Sequence, residues 1–107
     1  MPDGKKAEVR IPGVTAPAPG HAIRVSVNGT PVAIFNLGTT LVGLDAECPH
    51  EGGPLDEGPV EGGNVTCPWH GSVFRLSDGA LIEGPAESPV KPYRVTLDGT
   101  TLVVHPG

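Results

Sequence analysis

Short segments in which apolar and polar residues alternate, or in which apolar residues cluster, recur along the chain, and they predict β-strands. A period of two places alternate side chains on opposite faces of a sheet, as in a strand with one buried face. No segment combines the helical spacing of apolar residues with a capping residue, so no helix is predicted. The predicted strands are Ala7–Ile11, Ala22–Val27, Val32–Asn36, Leu41–Asp45, Asn64–Thr66, Ser72–Leu76, Tyr93–Leu97 and Thr101–Val104.

Turn-forming residues separate these segments. Asn28-Gly29 and Asp98-Gly99 lie between neighbouring strands, and such pairs accept the positive φ that type I′ hairpin turns require. Ser77–Gly79 is a third predicted turn. The glycine- and proline-rich stretch Glu51–Gly63 is predicted to be a loop with at most one short helical turn. The pattern therefore predicts an all-β, antiparallel domain that carries two or three rigid loops.

Composition limits the size and the partners of this domain. The 107 residues suffice for one domain, residues 1–107, with a modest core. Because the net charge is −5 and the seven Lys and Arg residues are scattered, we expect no nucleic-acid partner.

The sequence gives no signal for a membrane. Met1–Arg10 is polar and lacks the apolar middle region of a signal peptide. No apolar run approaches the roughly 20 residues of a membrane span, so we expect a cytoplasmic protein with no membrane partner. Thiols stay reduced in the cytosol, and a cysteine pair there is more typical of metal or redox chemistry than of a structural disulfide.

Both cysteines lie just before a histidine. The two groups are Cys48-Pro49-His50 and Cys67-Pro68-Trp69-His70, and sixteen residues separate His50 from Cys67. Ligands two or three residues apart can project from one loop onto one metal centre. The proline after each cysteine restricts φ and lowers the entropy lost when the loop is ordered. This pattern predicts a metal centre held between two loops.

Two other interpretations of the cysteines remain open from spacing alone. A disulfide would close a loop of about twenty residues and stabilise the fold by roughly 3 kcal/mol, but it leaves both histidines unexplained. Two Cys and two His are also standard zinc ligands, although this order of residues is unusual for a zinc finger.

The residues around the motif carry a resemblance to a known family. The stretch from Cys67 to Phe74 resembles the second cluster loop of Rieske proteins, and Cys48-Pro49-His50 resembles the first. The resemblance extends from Leu41 to about Tyr93. It implies a Rieske-like sandwich or barrel with a small subdomain of loops, at about residues 46–86, that holds one [2Fe–2S] cluster.

The resemblance also implies a ligand set. Cys48 and Cys67 would bind one iron as thiolates, and His50 and His70 would bind the other iron, since two histidines replace two cysteines on one iron of a Rieske centre. The chain has no further cysteine for the disulfide that links the cluster loops of higher-potential members.

Neighbouring residues would complete this centre. Gly71 would let the backbone approach the cluster closely, and Trp69 is expected to pack over the cluster loop. Gly84-Pro85-Ala86 resembles the proline-bearing third loop of the family, which would exclude water, and Pro89 and Pro92 are the alternatives for this part. Ser72 could donate a hydrogen bond to a bridging sulfide, whereas Phe74 cannot donate where high-potential members have tyrosine. These features imply a potential at the lower end of the Rieske range.

The resemblance implies an electron carrier rather than an enzyme. The sequence shows no facial triad of two histidines and a carboxylate for a second, catalytic iron. The family instead implies a monomeric one-electron shuttle that accepts electrons from an NAD(P)H-linked flavin reductase and donates them to a terminal oxygenase. A small Rieske subunit of a larger redox enzyme, such as a nitrite reductase, and a structural zinc module are the alternatives.

Overall fold

A computed structural model describes residues 8–49, 52–69 and 71–105. These residues form antiparallel strands and one turn of 3₁₀ helix at Leu55–Glu57. The strands are β1 (Val9–Ile11), β2 (Ala22–Val27), β3 (Thr30–Asn36), β4 (Leu41–Asp45), β5 (Val60–Glu61), β6 (Asn64–Thr66), β7 (Val73–Arg75), β8 (Leu81–Glu83), β9 (Pro92–Asp98) and β10 (Thr101–His105). The predicted all-β, antiparallel fold class is confirmed. Within the same residues, no helix has the length and hydropathy needed to cross a bilayer.

The strands form two sheets of unequal size. The larger has six strands in the order β1-β10-β9-β4-β3-β2, and the smaller has four in the order β5-β6-β7-β8. All pairings are antiparallel. The small sheet is inserted in the chain between β4 and β9, which are neighbours in the large sheet. The segment from β4 to β9 therefore leaves the large sheet, builds the small one and returns.

Strand β3 shows how the large sheet is buried on both faces. Ala33 and Phe35 belong to one core, which lies between the two sheets, whereas Val32 and Ile34 belong to a second core on the opposite face. Successive side chains of a strand point to opposite faces, so the continuous apolar run Val32–Phe35 contributes to both cores. The first core also contains both cysteines, so the sequence places them where the two sheets meet.

The strand predictions fail where segments are very short. Strands β5 and β8, of two and three residues, were not predicted, because so few residues show no period. The predicted strand Ser72–Leu76 is confined to Val73–Arg75, and Ser72 lies in the preceding loop. Ala7, the predicted start of the first strand, lies outside the described residues.

One predicted hairpin turn is wrong by one residue. The Asn28-Gly29 turn is confirmed, since both residues have positive φ and Val27 pairs with Thr30. In the second hairpin Asp98 pairs with Thr101, so the loop is Gly99-Thr100 and not Asp98-Gly99. Gly99 alone has positive φ there, as a type II′ turn requires at its first central position.

A buried tyrosine links β9 to the end of β4. The Tyr93 hydroxyl donates a hydrogen bond to the Asp45 carboxylate at 2.7 Å, and the Lys91 Nζ lies 5.0 Å from the ring centroid. The acceptor of this hydroxyl is therefore a side chain and not the backbone. Burial, together with the neighbouring carboxylate, raises the pKa of Tyr93 above its ordinary value.

The Tyr93→Phe protein is expected to be about 1–2 kcal/mol less stable at pH 7, because it lacks this hydrogen bond to a charged group. Since the pKa of Tyr93 is raised on folding, the unfolded chain releases its proton first as pH rises above about 10. The unfolding free energy of the unmodified protein should therefore fall from about pH 10 upward. Urea unfolding of the two proteins at pH 7 to 11 measures both effects. An unfolding free energy that changes equally with pH in the two proteins above pH 10 would refute the pH effect assigned to Tyr93, and equal stability at pH 7 would refute the contribution of the hydrogen bond.

Candidate metal centre

The first cysteine loop, which begins at Cys48 and includes Gly52 and Gly53, follows β4, and two backbone hydrogen bonds join its described residues. The Cys48 N–H donates to the Gly53 carbonyl at 2.8 Å, and the Gly52 N–H donates to the Cys48 carbonyl at 2.8 Å. Gly52 has φ of +79°, a conformation that glycine adopts without strain. These two bonds close the loop on its own cysteine.

The second cysteine loop, which begins at Cys67 and includes Gly71 and Ser72, lies between β6 and β7 and has the same two hydrogen bonds between its described residues. The Cys67 N–H donates to the Ser72 carbonyl at 2.7 Å, and the Gly71 N–H donates to the Cys67 carbonyl at 3.1 Å. Gly71 has φ of +82°. The pattern Cys-Pro-x-x-Gly is visible in the sequence at both places, and it is the signal from which this shared geometry could have been predicted.

Both thiols are buried in the same core. Cys48 and Cys67 are each 3% exposed and belong to the core between the two sheets. No disulfide joins them, although both lie within the described residues. Two thiols that are buried in one core, one on each cysteine loop, are suited to bind one metal centre together.

Gly53 is the point at which the two loops meet. A Cβ at this position would lie 2.5 Å from the Cys67 Sγ and 3.1 Å from the Trp69 Cγ. Real Cβ atoms do not approach other atoms so closely, so only glycine fits between the loops. The resemblance implies that Gly53, like Gly52 and Gly71, lets the backbone approach the cluster, but the sequence carries no signal for this contact with the second loop.

Trp69 lies over the junction of the loops and faces solvent. Its Cβ and Cγ pack near Gly53, yet the residue is 56% exposed. Pro49 and Pro68, the proline of each cysteine loop, are also exposed. The expected packing over the loop is therefore present at the base of the side chain, while most of the ring remains accessible.

A third loop, residues 84–86, packs against Ser72. The Ala86 N–H donates to the Ser72 Oγ at 3.0 Å, and Ser72 is fully buried. Pro85 itself is exposed, whereas Ala86 is 5% exposed and belongs to the core that holds both cysteines. The three loops thus meet around one small region.

The predicted histidine ligands, His50 and His70, lie outside the described residues. In the described part, no group of three His, Cys, Asp or Glu side chains could hold a metal ion. The ligand roles of all four residues stay predictions. Of the other two histidines, His21 is exposed and His105 is half-buried, with its Nδ1 3.3 Å from the Arg94 guanidinium.

An ion pair fixes the helical turn that follows the first cysteine loop. The Arg24 guanidinium on β2 donates two hydrogen bonds, at 2.8 and 3.1 Å, to Asp56. Hydrogen bonding to this carboxylate raises the pKa of Arg24 above its already high ordinary value. From the sequence, we expect the acidic residues around this loop to form a solvated face. Asp56 is paired with Arg24, whereas the exposed residues are Glu47, Glu57 and Glu61. Glu51 lies outside the described residues.

Comparison with known proteins gives a consistent result. The family model of the Rieske [2Fe–2S] domain matches residues 8–94. The 3-phenylpropionate/cinnamic acid dioxygenase ferredoxin subunit of Escherichia coli (strain K12) is 29% identical over 86 residues, which are 79% of this chain and 80% of that protein. Human apoptosis-inducing factor 3 is 38% identical over 62 residues, and this match spans only 10% of its length.

A solved structure matches nearly the whole chain. The ferredoxin of carbazole 1,9a-dioxygenase from Nocardioides aromaticivorans IC177 superposes with a TM-score of 0.85 and 28% sequence identity. The match covers 95% of this chain and 100% of that one.

Proposed function

This chain belongs to the family of Rieske [2Fe–2S] domains, and we propose that it passes single electrons from an NAD(P)H-linked flavin reductase to a terminal oxygenase. As a member it holds one Rieske-type [2Fe–2S] cluster, and the predicted resemblance is confirmed. The zinc alternative is thereby set aside. The observation that supports the proposal most is the pair of buried thiols on two matching loops.

The donor set of the described residues fits such a cluster. Thiolates are the ligands of iron–sulfur clusters, and two thiols buried in one core would hold one iron. We propose Cys48 and Cys67 as these ligands and His50 and His70 as the ligands of the second iron. Gly53 leaves room beside the Cys67 sulfur. The buried Ser72 oxygen accepts the Ala86 N–H, and its own O–H can still donate a hydrogen bond to the cluster. The cluster supplies a site for one electron.

The relatives support a carrier rather than a catalyst. The E. coli relative and the Nocardioides relative are each a ferredoxin of a dioxygenase system. Passing on electrons requires no substrate pocket, only a cluster near the surface. We propose the same task here, with a flavin reductase as the donor and a terminal oxygenase as the acceptor, in the cytoplasm and as a monomer.

Purified protein tests the carrier function directly. Reduced protein should transfer one electron per chain to a Rieske-type terminal oxygenase, and the oxidised protein should be reduced by an NADH-linked flavin reductase. The protein alone should not oxidise an aromatic substrate. A large subunit that co-purifies at a fixed ratio would instead favour a subunit of a larger redox enzyme, and failure to exchange electrons with either partner would refute the proposal.

The Ser72→Ala protein is expected to have a midpoint potential lower by roughly 40 mV. The lost hydrogen bond, worth about 1 kcal/mol, stabilises the more negative, reduced state of the cluster. For one electron, about 59 mV corresponds to a factor of ten in the equilibrium constant, so about 1 kcal/mol corresponds to roughly 40 mV. Protein-film voltammetry of the two proteins measures the shift. An unchanged potential would exclude a hydrogen bond from Ser72 to the cluster.

A further inference from the structure

Ser72 makes a contact that its proposed donation to the cluster does not require. Its Oγ accepts the N–H of Ala86 at 3.0 Å, fourteen residues further along the chain. Both residues are buried, at 0% and 5% exposure. A buried backbone N–H needs an acceptor, so without the Ser72 oxygen the third loop would have to move until water reached it.

Gly84 makes a second, independent contact between the same two loops. A Cβ at Gly84 would lie 2.4 Å from the Ser72 Cα and 3.0 Å from both its backbone nitrogen and its Oγ. Gly84 also has φ of +113°, which side-chain-bearing residues rarely adopt. The backbone of the third loop can therefore lie directly on Ser72 only because this position is glycine.

The third loop lies in a segment that is held at one end by β8 and at the other end by Val90, and Ser72 binds this segment in its middle. Strand β8 ends at Glu83, immediately before Gly84, and the Val90 N–H donates to the Gly79 carbonyl at 3.0 Å. Between these anchors, the hydrogen bond to Ala86 joins the loop to the second cysteine loop. Loss of this bond would free residues 84–86 while both ends stay in place.

We propose that Ser72 is a positioning residue that holds the third loop closed over the second cysteine loop, and that Gly84 is the position that allows the closure. The closed loop limits the access of water to the cluster on the side of Cys67. This inference rests on the proposed function only in assuming that the cluster is bound between the cysteine loops.

Three variants separate loop closure from other effects. Ser72→Ala removes the acceptor, while Gly84→Ala keeps the hydroxyl and displaces the loop. Gly38→Ala is the matched control, because Gly38 also has a large positive φ, +94°, but has no other atom within 4 Å of the added Cβ. The control thus carries similar backbone strain without affecting any cluster loop.

The readouts are the solvent access of the bound cluster and its rate of loss. Pulsed EPR of the reduced proteins in D₂O measures deuterium coupling to the cluster, and bleaching by an iron chelator measures loss. We expect both Ser72→Ala and Gly84→Ala to show stronger deuterium coupling and roughly fivefold faster bleaching, as for one lost hydrogen bond. The Gly38→Ala protein should stay within twofold of the unmodified protein.

Two results would overturn the inference. One is an effect of Ser72→Ala without any effect of Gly84→Ala, which would assign Ser72 to the cluster alone. The other is an equal effect of all three variants, which would show a general loss of stability. If circular dichroism shows that Gly84→Ala is unfolded, hydrogen–deuterium exchange of the peptide that carries the Ala86 N–H decides the outcome, because Ser72→Ala should speed this exchange only if Ser72 holds the third loop. Unchanged exchange in Ser72→Ala would overturn the inference. Unmodified protein that binds no [2Fe–2S] cluster would contradict the proposed function itself and is recognised before any variant is compared.

Discussion

The Cys67→Ala protein is expected to contain no [2Fe–2S] cluster. Cys67 supplies a buried thiol, and neither an exposed side chain nor water can replace a thiolate ligand in that core. The visible absorption of the cluster should disappear. Bound iron should fall at least tenfold, from two atoms per chain to fewer than about 0.2. Iron and acid-labile sulfide analysis of the purified protein measures this. Cys48→Ala should behave alike.

A matched control separates ligation from packing. Val65 lies on β6 in the same core and is also buried, so Val65→Ala removes a side chain of similar size without removing a ligand. It should lose about 1–2 kcal/mol of unfolding free energy and keep its iron. Retention of a full cluster by Cys67→Ala, or an equal loss of iron in both variants, would contradict the proposed ligand role.

The Gly53→Ala protein is expected to lose most of its cluster although no ligand is changed. The added Cβ would lie 2.5 Å from the Cys67 sulfur, so either the first cysteine loop or Cys67 must move. Overpacking of this kind costs about 1–3 kcal/mol, which corresponds to a roughly tenfold or greater weakening of cluster retention. The measurement is the iron content per chain, followed by the rate at which a chelator bleaches the remaining cluster.

Gly52→Ala is the control for this substitution. Gly52 is adjacent and has φ of +79°, but nothing lies within 4 Å of a Cβ added there. Gly52→Ala should therefore reduce stability by about 1 kcal/mol through backbone strain and still hold the cluster. If Gly52→Ala released more iron than Gly53→Ala, the conformation of the loop and not the contact with Cys67 would be decisive.

The strands were predictable from the sequence because their signals are local. The apolar run of β3 and the Asn28-Gly29 turn each lie within a few residues, and both predictions are confirmed. The cysteine motif is equally local, which is why the amino-acid sequence alone is enough to identify the family. The two-residue strand β5 and the one-residue error at Gly99 mark the limit of such signals.

The contacts that shape the candidate site are distant in sequence and carry no local signal. Arg24 pairs with Asp56 across 32 residues, and Tyr93 bonds Asp45 across 48. Neither the charge pattern nor the strand pattern could have selected these partners. They depend on how the small sheet is inserted between β4 and β9, and that arrangement follows from packing of the whole chain.

The most direct measurement is the EPR spectrum of the dithionite-reduced protein, combined with iron, sulfide and zinc analysis of the same sample. Two irons and two sulfides per chain should be found, with a rhombic signal whose low average g is typical of mixed cysteine and histidine ligation. A colourless protein that contains one zinc ion and no sulfide would contradict this expectation. So would an iron–sulfur protein whose average g matches that of a cluster with only thiolate ligands.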